Sequence, residues 1–354
     1  MSAAHTHTGI PTPEPLVEVV RGPITESRHR GHILAVDGTG KIVARLGAPE
    51  TVTYLRSSAK PQQAVPLIAT GAADHFGFTP QEIALACGSH SGEPIHTATV
   101  AAMLRKIGLS ESALKCGVHE PLGREAAQLL RERGERPTAL HNNCSGKHAG
   151  MLALALYLGA PPGTYDQPDN LAQLMIARSI AQFSGIPLED LAVGIDGCGV
   201  PVFGVTVGAM ALMYARLVAP PSDFSEAERA ACNRVVAAMI AHPEMVGGAT
   251  ERLDTEVMRA APRRVVSKVG AEGVYTAGVL PCAEWPHGLG LAFKIEDGED
   301  RRARPTVVIE ALRQLGVLDA AACDRLMPYA SFPVRNHRGD TVGVVRASFD
   351  LKRR

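Results

Sequence analysis

Tyr54-Leu55-Arg56-Ser57-Ser58-Ala59-Lys60-Pro61 sets a serine three residues before a lysine, where an apolar helical pattern begins. Pro61 is tolerated only near a helix start, so the spacing predicts a helix over 58–71 with Ser57 at its first turn. Lys60 then lies one turn further on the same side. Backbone N–H groups point outward at such a terminus, which suits a developing oxyanion. The spacing alone is a weak signal. Ser112-Ala113-Leu114-Lys115 repeats it in a segment that reads as an exposed turn. Scarcity gives Lys60 its weight: of 36 Lys+Arg only eight are lysine, and three of these sit in the small-residue loops RSSAKP, NNCSGKHAG and VSKVGAEG. Arginine keeps its proton in a protein, whereas a desolvated or crowded lysine can lose it. A chain that serves its surface with arginine yet keeps lysine in such loops retains amines that can be neutral. That points to an enzyme.

Outward from this stretch, Asp37-Gly38-Thr39-Gly40 is a hairpin turn between Ser27 to Val36 and Lys41 to Leu46. The chain closes with a second hairpin, Ala330 to Asn336 and Val342 to Phe349, around Arg338-Gly339-Asp340. Strands at both ends imply one sheet that the chain leaves and rejoins. Helical periodicity fills the middle at 58–71, 95–107, 123–133, 147–158, 168–184, 224–241, 249–260 and 304–316. Strand-like runs are Ile83 to Cys87, Leu191 to Ile195, Arg264 to Val269, Val274 to Val279 and Leu289 to Ile295. The fold expected is α/β (α+β), an antiparallel sheet flanked by helices plus a helical subdomain. Residues 1–15 read as a mobile tail. Residues 16–354 read as one unit, with an α/β part (terminal hairpins and strands near 264–295) and a helical part at about 95–260.

Composition excludes several classes. The formal net charge is +0, which gives a nucleic-acid or anionic-membrane partner no electrostatic support. The N-terminus lacks the apolar core of an export signal, and GVTVGAMALMYARLV is too short to span a bilayer. Seven cysteines with no export signal imply reduced thiols and a cytoplasmic location.

Three further loops carry candidate chemistry. Cys87-Gly88-Ser89-His90-Ser91-Gly92-Glu93 follows the run IALAC and brings small polar side chains to what reads as a sheet edge. A plain Gly/Ser turn with a helix cap is the bland alternative. His141-Asn142-Asn143-Cys144-Ser145-Gly146-Lys147-His148 and Gly194-Ile195-Asp196-Gly197-Cys198-Gly199 hold cysteines among glycines and polar side chains. With Lys147 or His148 one turn from Cys144, these thiols can hold a borderline metal such as Zn²⁺, though spacing alone falls short of a four-ligand pattern.

Ser-x-x-Lys, a later polar Ser motif and a Lys-x-Gly strand are similar to the serine β-lactamase pattern. The whole set, RSSAKPQQ, ACGSHSGEPIH, HNNCSGKHAGML, GIDGCGVPVF, HPEMVGG, SKVGAEGV and GLAFKIEDG in this order, more closely resembles the Rhizobium-type (class 3) L-asparaginase family, from Leu16 to Phe349. The resemblance implies a serine β-lactamase/glutaminase-like fold and two Ser–Lys pairs, Ser57 with Lys60 and Ser89 with Lys268. Lys294 rivals Lys268 for the last role. It further implies a Zn²⁺ held by Cys144, Lys147 and Cys198, with water completing the site, and a homodimeric assembly. Asp196 is the expected acceptor for the substrate α-ammonium. Arg56 is expected to meet the α-carboxylate or repel the proton of Lys60, and His90 and His148 are expected beside the substrate. The function expected is hydrolysis of L-asparagine. A β-lactam or D-Ala-D-Ala hydrolase, and a zinc-dependent scaffold without catalysis, remain as alternatives.

Overall fold

The computed structural model describes residues 12–353. Most of the expected tail falls outside them, but Glu14 and Pro15 already belong to a strand. The twelve strands are β1 (Glu14–Arg21), β2 (Ile24–Asp37), β3 (Ile42–Leu46), β4 (Val52–Tyr54), β5 (Ala192–Ile195), β6 (Pro201–Thr206), β7 (Val265–Gly270), β8 (Val274–Val279), β9 (Leu289–Ile295), β10 (Phe332–Arg335), β11 (Thr341–Ala347) and β12 (Lys352–Arg353).

The main sheet has nine strands in the order β10-β11-β1-β2-β9-β8-β7, with β3 on β2 and β12 on β3. Its pairings are antiparallel. The length of β2 explains the branch. Its first half pairs with β1 and its second half with β3, while residues 31–37 pair with β9 on the other edge. The predicted hairpin turn forms because Asp37 Oδ1 accepts the N–H groups of Thr39 and Lys41 at 2.9 and 3.0 Å. Since β10 and β11 dock beside β1, the chain does rejoin the sheet it left.

Alternation along the strands gives the sheet two apolar faces. Ile33 and Ala35 join one core with Tyr275, Phe293 and the helices Ala303–Gln314 and Ala320–Ala330. Leu34 and Val36 join the larger core of the helical layer. The helix Val207–Val218 lies directly on that second face. Gly290 permits this approach: a Cβ there would stand 1.9 Å from the Ala211 carbonyl oxygen. No helix among the described residues is long and apolar enough to cross a membrane.

All eight predicted helices are present, with ends shifted by a few residues. One strand is corrected: Ile83 to Cys87 lies in and directly after the helix Pro80–Ala86. Thr79 Oγ1 accepts the Glu82 N–H at 3.3 Å, and Glu82 Oε2 accepts the Thr79 N–H at 2.6 Å, a reciprocal cap that nucleates helix. A short apolar run cannot by itself distinguish a buried strand from a buried helix. The small sheet β4-β6-β5 matters for function, because it sets the residues after β4 beside the turn that joins β5 to β6.

Candidate active site

Five chain segments converge between the edge strand β7 and the helical layer. Directly after β4 the chain makes a 3-10 turn, Arg56–Ala59, which runs into the helix Lys60–Ala69. Arg56 adopts φ +50, in the left-handed region that costs a side-chain-bearing residue. Ser57 follows, half-buried. Neither its hydroxyl nor its backbone N–H donates a hydrogen bond among the described residues.

Lys60 is buried and its Nζ donates to the Gly88 carbonyl at 2.6 Å, the Ser89 hydroxyl at 2.9 Å and the Asn143 carbonyl at 3.2 Å. Burial pushes its pKa below the usual lysine value, against the attraction of the Cys144 and Cys198 sulfurs. Lys60 therefore bonds to the second serine and makes no hydrogen bond to Ser57. Ser89 is held in place by its own backbone, whose N–H donates to the Val246 carbonyl at 2.8 Å. Gly88 is required there: a Cβ would meet the Met245 carbonyl oxygen at 2.5 Å.

Lys268 shares the face of β7 that bears Val266 and is fully buried. Its Nζ donates to Asp254 Oδ2 at 3.2 Å and to the Val269 carbonyl at 3.0 Å, and makes no hydrogen bond to Ser89. Burial depresses its pKa to about 8. The Asp254 carboxylate opposes the shift, and the charges of Lys60 and Arg252 add to it. Lys294 is tied to the carbonyls of Glu272 and Ile295, both at 2.6 Å. Of the two rivals, Lys268 has the Lys60 charge among the main influences on it, whereas Lys294 answers chiefly to burial and to the acids Glu272, Asp300, Asp297 and Glu296.

The thiols meet from two directions. Cys144 precedes the helix Ser145–Tyr157, which carries Lys147 and His148, and Cys198 sits in the β5–β6 turn. Lys147 Nζ lies 3.1 Å from Cys198 Sγ. A hydrogen bond from Cys198, with the charges of Lys60 and Lys147, holds Cys144 well below the usual thiol range. Sharing that hydrogen with Cys144, together with burial, drives Cys198 up. Burial opposes the charge on Lys147, but the two sulfurs outweigh it and raise its pKa. Among the described residues no group of three or more His, Cys, Asp and Glu is placed to hold a metal ion. Two sulfurs and an amine brought together in a buried spot nonetheless form a donor set that suits a borderline divalent ion.

At the rim, Arg56 Nε donates to Asp196 Oδ1 at 2.8 Å. Burial pushes the Asp196 pKa up, but Lys147 and Arg56 outweigh it and bring it below the ordinary value. The two expected substrate-binding residues are thus partners of each other. The histidines lie deeper than expected. His90 is buried, 2.9 Å from Ser145 Oγ and stacked on His96. His148 Nδ1 is 2.6 Å from the Tyr165 hydroxyl, and its Nε2 is buried without a partner. Burial holds both well below the usual histidine value.

Arg252, Asp254 and Asn143 were not singled out from sequence. Nothing local in the sequence marks them. The Ser112/Lys115 repeat is a surface feature, with Lys115 Nζ 2.9 Å from Asp166.

The family model described as L-asparaginase II matches residues 17–347. No curated protein matches the chain at a significant level. Among solved structures, a probable glutaminase from Bacillus subtilis complexed with 6-diazo-5-oxo-L-norleucine is 12% identical, with 81% of this chain and 85% of that chain covered and a TM-score of 0.37. A β-lactamase from Burkholderia vietnamiensis is 16% identical, with 85% and 93% covered and a TM-score of 0.36. Likeness of this extent carries no argument about activity.

Proposed function

The chain belongs to the L-asparaginase II family and is an amidohydrolase; from that premise we propose that it hydrolyses the side-chain amide of L-asparagine through a β-aspartyl ester on Ser57. The carrying observation is the buried Lys60 amine, 2.9 Å from Ser89 Oγ and three residues from a serine whose hydroxyl is uncommitted. A neutral Lys60 has two N–H groups, which the Gly88 and Asn143 carbonyls accept, and one lone pair, which then faces the Ser89 hydroxyl. That arrangement favours proton uptake from serine.

The substrate zwitterion lies along the Arg56–Asp196 pair, its carboxylate toward the guanidinium and its ammonium toward the aspartate. Ser57 Oγ attacks the side-chain carbonyl carbon, and the Lys60–Ser89 couple takes up the serine proton. The uncommitted Ser57 N–H receives the oxyanion. Return of the proton to nitrogen expels ammonia and leaves the ester. Water, deprotonated by the same amines, then attacks the ester, and aspartate leaves as Ser57 regains its proton. In its neutral form Lys268 is the second amine of the relay, taking up the proton through Ser89. Asparagine plus water thus gives aspartate plus ammonia.

Cys144, Lys147 and Cys198 would hold Zn²⁺, with Lys147 binding as the neutral amine. The bound ion supplies a positive centre that two thiolates leave formally neutral, so it organises the pocket as a mild Lewis acid. The proposal includes the homodimer and the cytoplasmic location that the resemblance implies.

Ammonia release, measured with asparagine and glutamine side by side, tests the reading. Ser57→Ala is expected to abolish release from asparagine with metal content unchanged. Near-normal turnover in that variant would exclude Ser57 as nucleophile.

A further inference from the structure

One short segment reaches both members of the second serine–lysine couple. Arg252 stands directly before the helix Leu253–Ala260, and Asp254 lies in its first turn. Arg252 Nη2 donates to the Ser89 carbonyl at 2.6 Å and its Nη1 to the Ser91 hydroxyl at 3.0 Å, which itself donates to the Gly247 carbonyl at 3.0 Å. Two residues on, Asp254 Oδ2 accepts from Lys268 Nζ at 3.2 Å. Its Oδ1 accepts from the Val269 N–H at 2.9 Å and the Ser267 hydroxyl at 3.1 Å. Ser89 follows a helix of the helical layer and Lys268 belongs to the sheet, and no hydrogen bond joins the two directly.

Arg252 acts against the ordinary interest of its own helix, and Asp254 is buried where an acid is costly. A cation at a helix N-terminus opposes the dipole, yet Arg252 occupies that position without a capping hydrogen bond from its side chain. A first-turn carboxylate suits the dipole without leaving solvent, yet Asp254 is only 1% exposed. Burying it is costly unless it is paired. What the two side chains reach instead is the Ser89 loop and the Lys268 amine.

We propose that Arg252 and Asp254 are positioning residues for the amide hydrolysis, fixing the Ser89 loop and the Lys268 amine in register with each other. This rests on the reading that Ser89 and Lys268 serve that reaction. The groups facing Lys268 are Asp254 and Arg252 from this segment, Lys60 from the helix after Ser57, and the Cys87 thiol before Gly88. The Tyr214 and Tyr275 hydroxyls stand near Asp254. Asp254 is the only anion in that set, so its removal must lower the proton affinity of Lys268.

The test follows the full-length enzyme in two ways, by ammonia release across pH and by NMR titration of the lysine ¹³Cε signals, with the Lys268 signal assigned from Lys268→Met. In Asp254→Asn the Lys268 midpoint is expected to fall by about one unit or more. kcat is expected to fall about tenfold or more, with KM within about twofold of wild type. Arg252→Lys keeps the charge but loses the two-pronged contact, so kcat should fall with the midpoint unmoved. Asp254→Glu covers the case in which the asparagine variant fails to fold. It should keep the midpoint near 8 while kcat drops. An unmoved midpoint in folded Asp254→Asn, or wild-type kcat in Asp254→Glu and Arg252→Lys, would overturn the proposal. Were the wild type to release no ammonia while the midpoint still fell, the placement of Lys268 would stand and the asparaginase reading would fall.

Discussion

At the scale of single residues, the site gathers buried amines whose proton affinities are shifted in different directions. Burial lowers the proton affinity of both Lys60 and Lys268; the Lys147 charge lowers that of Lys60 further, and the Lys60 and Arg252 charges that of Lys268. If the neutral amines are the active form, kcat/KM rises with pH through about 8, the value to which Lys268 is pushed. The linkage sign is fixed by the same shift. In the unfolded chain this lysine titrates near ~10.4, so between pH 8 and that value the unfolded state holds the extra proton. The Lys268 contribution to stability therefore rises with pH across that window. Urea unfolding at either end of it should show a change in stability with pH that is more positive in wild type than in Lys268→Met; equal changes in the two would mean that Lys268 titrates normally. Much of this chemistry is legible in the sequence, because a chain sparing with lysine marks its amines. The partners are less so. Lys60 reaches Ser89 across 29 positions and Lys268 reaches Asp254 across 14, and no local pattern encodes such a meeting.

At the scale of elements, two close approaches hold the site's scaffold. The helix Val207–Val218 seats on the sheet where Gly290 leaves room, and the loop bearing Ser89 presses Gly88 against the Met245 carbonyl. Gly290→Ala would place a carbon 1.9 Å from the Ala211 oxygen. It should cost at least the upper end of the ~1–3 kcal/mol typical of over-packing. A denaturant midpoint equal to wild type would contradict the tight seating. The cap on the helix Pro80–Ala86 offers a milder test: Thr79→Ala should cost about 1 kcal/mol by the same measurement. That element also shows why a strand was expected there. The apolar run Ile83 to Cys87 is too short for its period to decide, whereas the Thr-Pro-x-Glu start at Thr79 to Glu82 does decide it. The strands near 274–279 and 289–295 were legible because glycines and turn residues bound them on both sides.

At the scale of the whole molecule, one sheet carries two cores, and the site lies where its β7 edge meets the helical layer. Terminal hairpins at both ends of the sequence made the sheet's closure readable. The small sheet β4-β6-β5 was not readable, because a three-residue strand such as β4 leaves almost no pattern. Yet that sheet joins Ser57 to Asp196 and Cys198, and a metal ion there would tie it to the helix that carries Lys147. Zn²⁺ at a hundredfold over its Kd should stabilise the fold by about 2.7 kcal/mol, seen as a higher Tm that a chelator reverses and Cys198→Ser abolishes. A Tm indifferent to zinc would remove the metal from this site. The central claim, an ester on Ser57, is tested most directly by acid-quenching the enzyme at saturating asparagine and mapping its peptides by mass. The account predicts one aspartyl group on the peptide containing Ser57. An aspartyl group on the Ser89 peptide, with Ser57 unmodified, would contradict it.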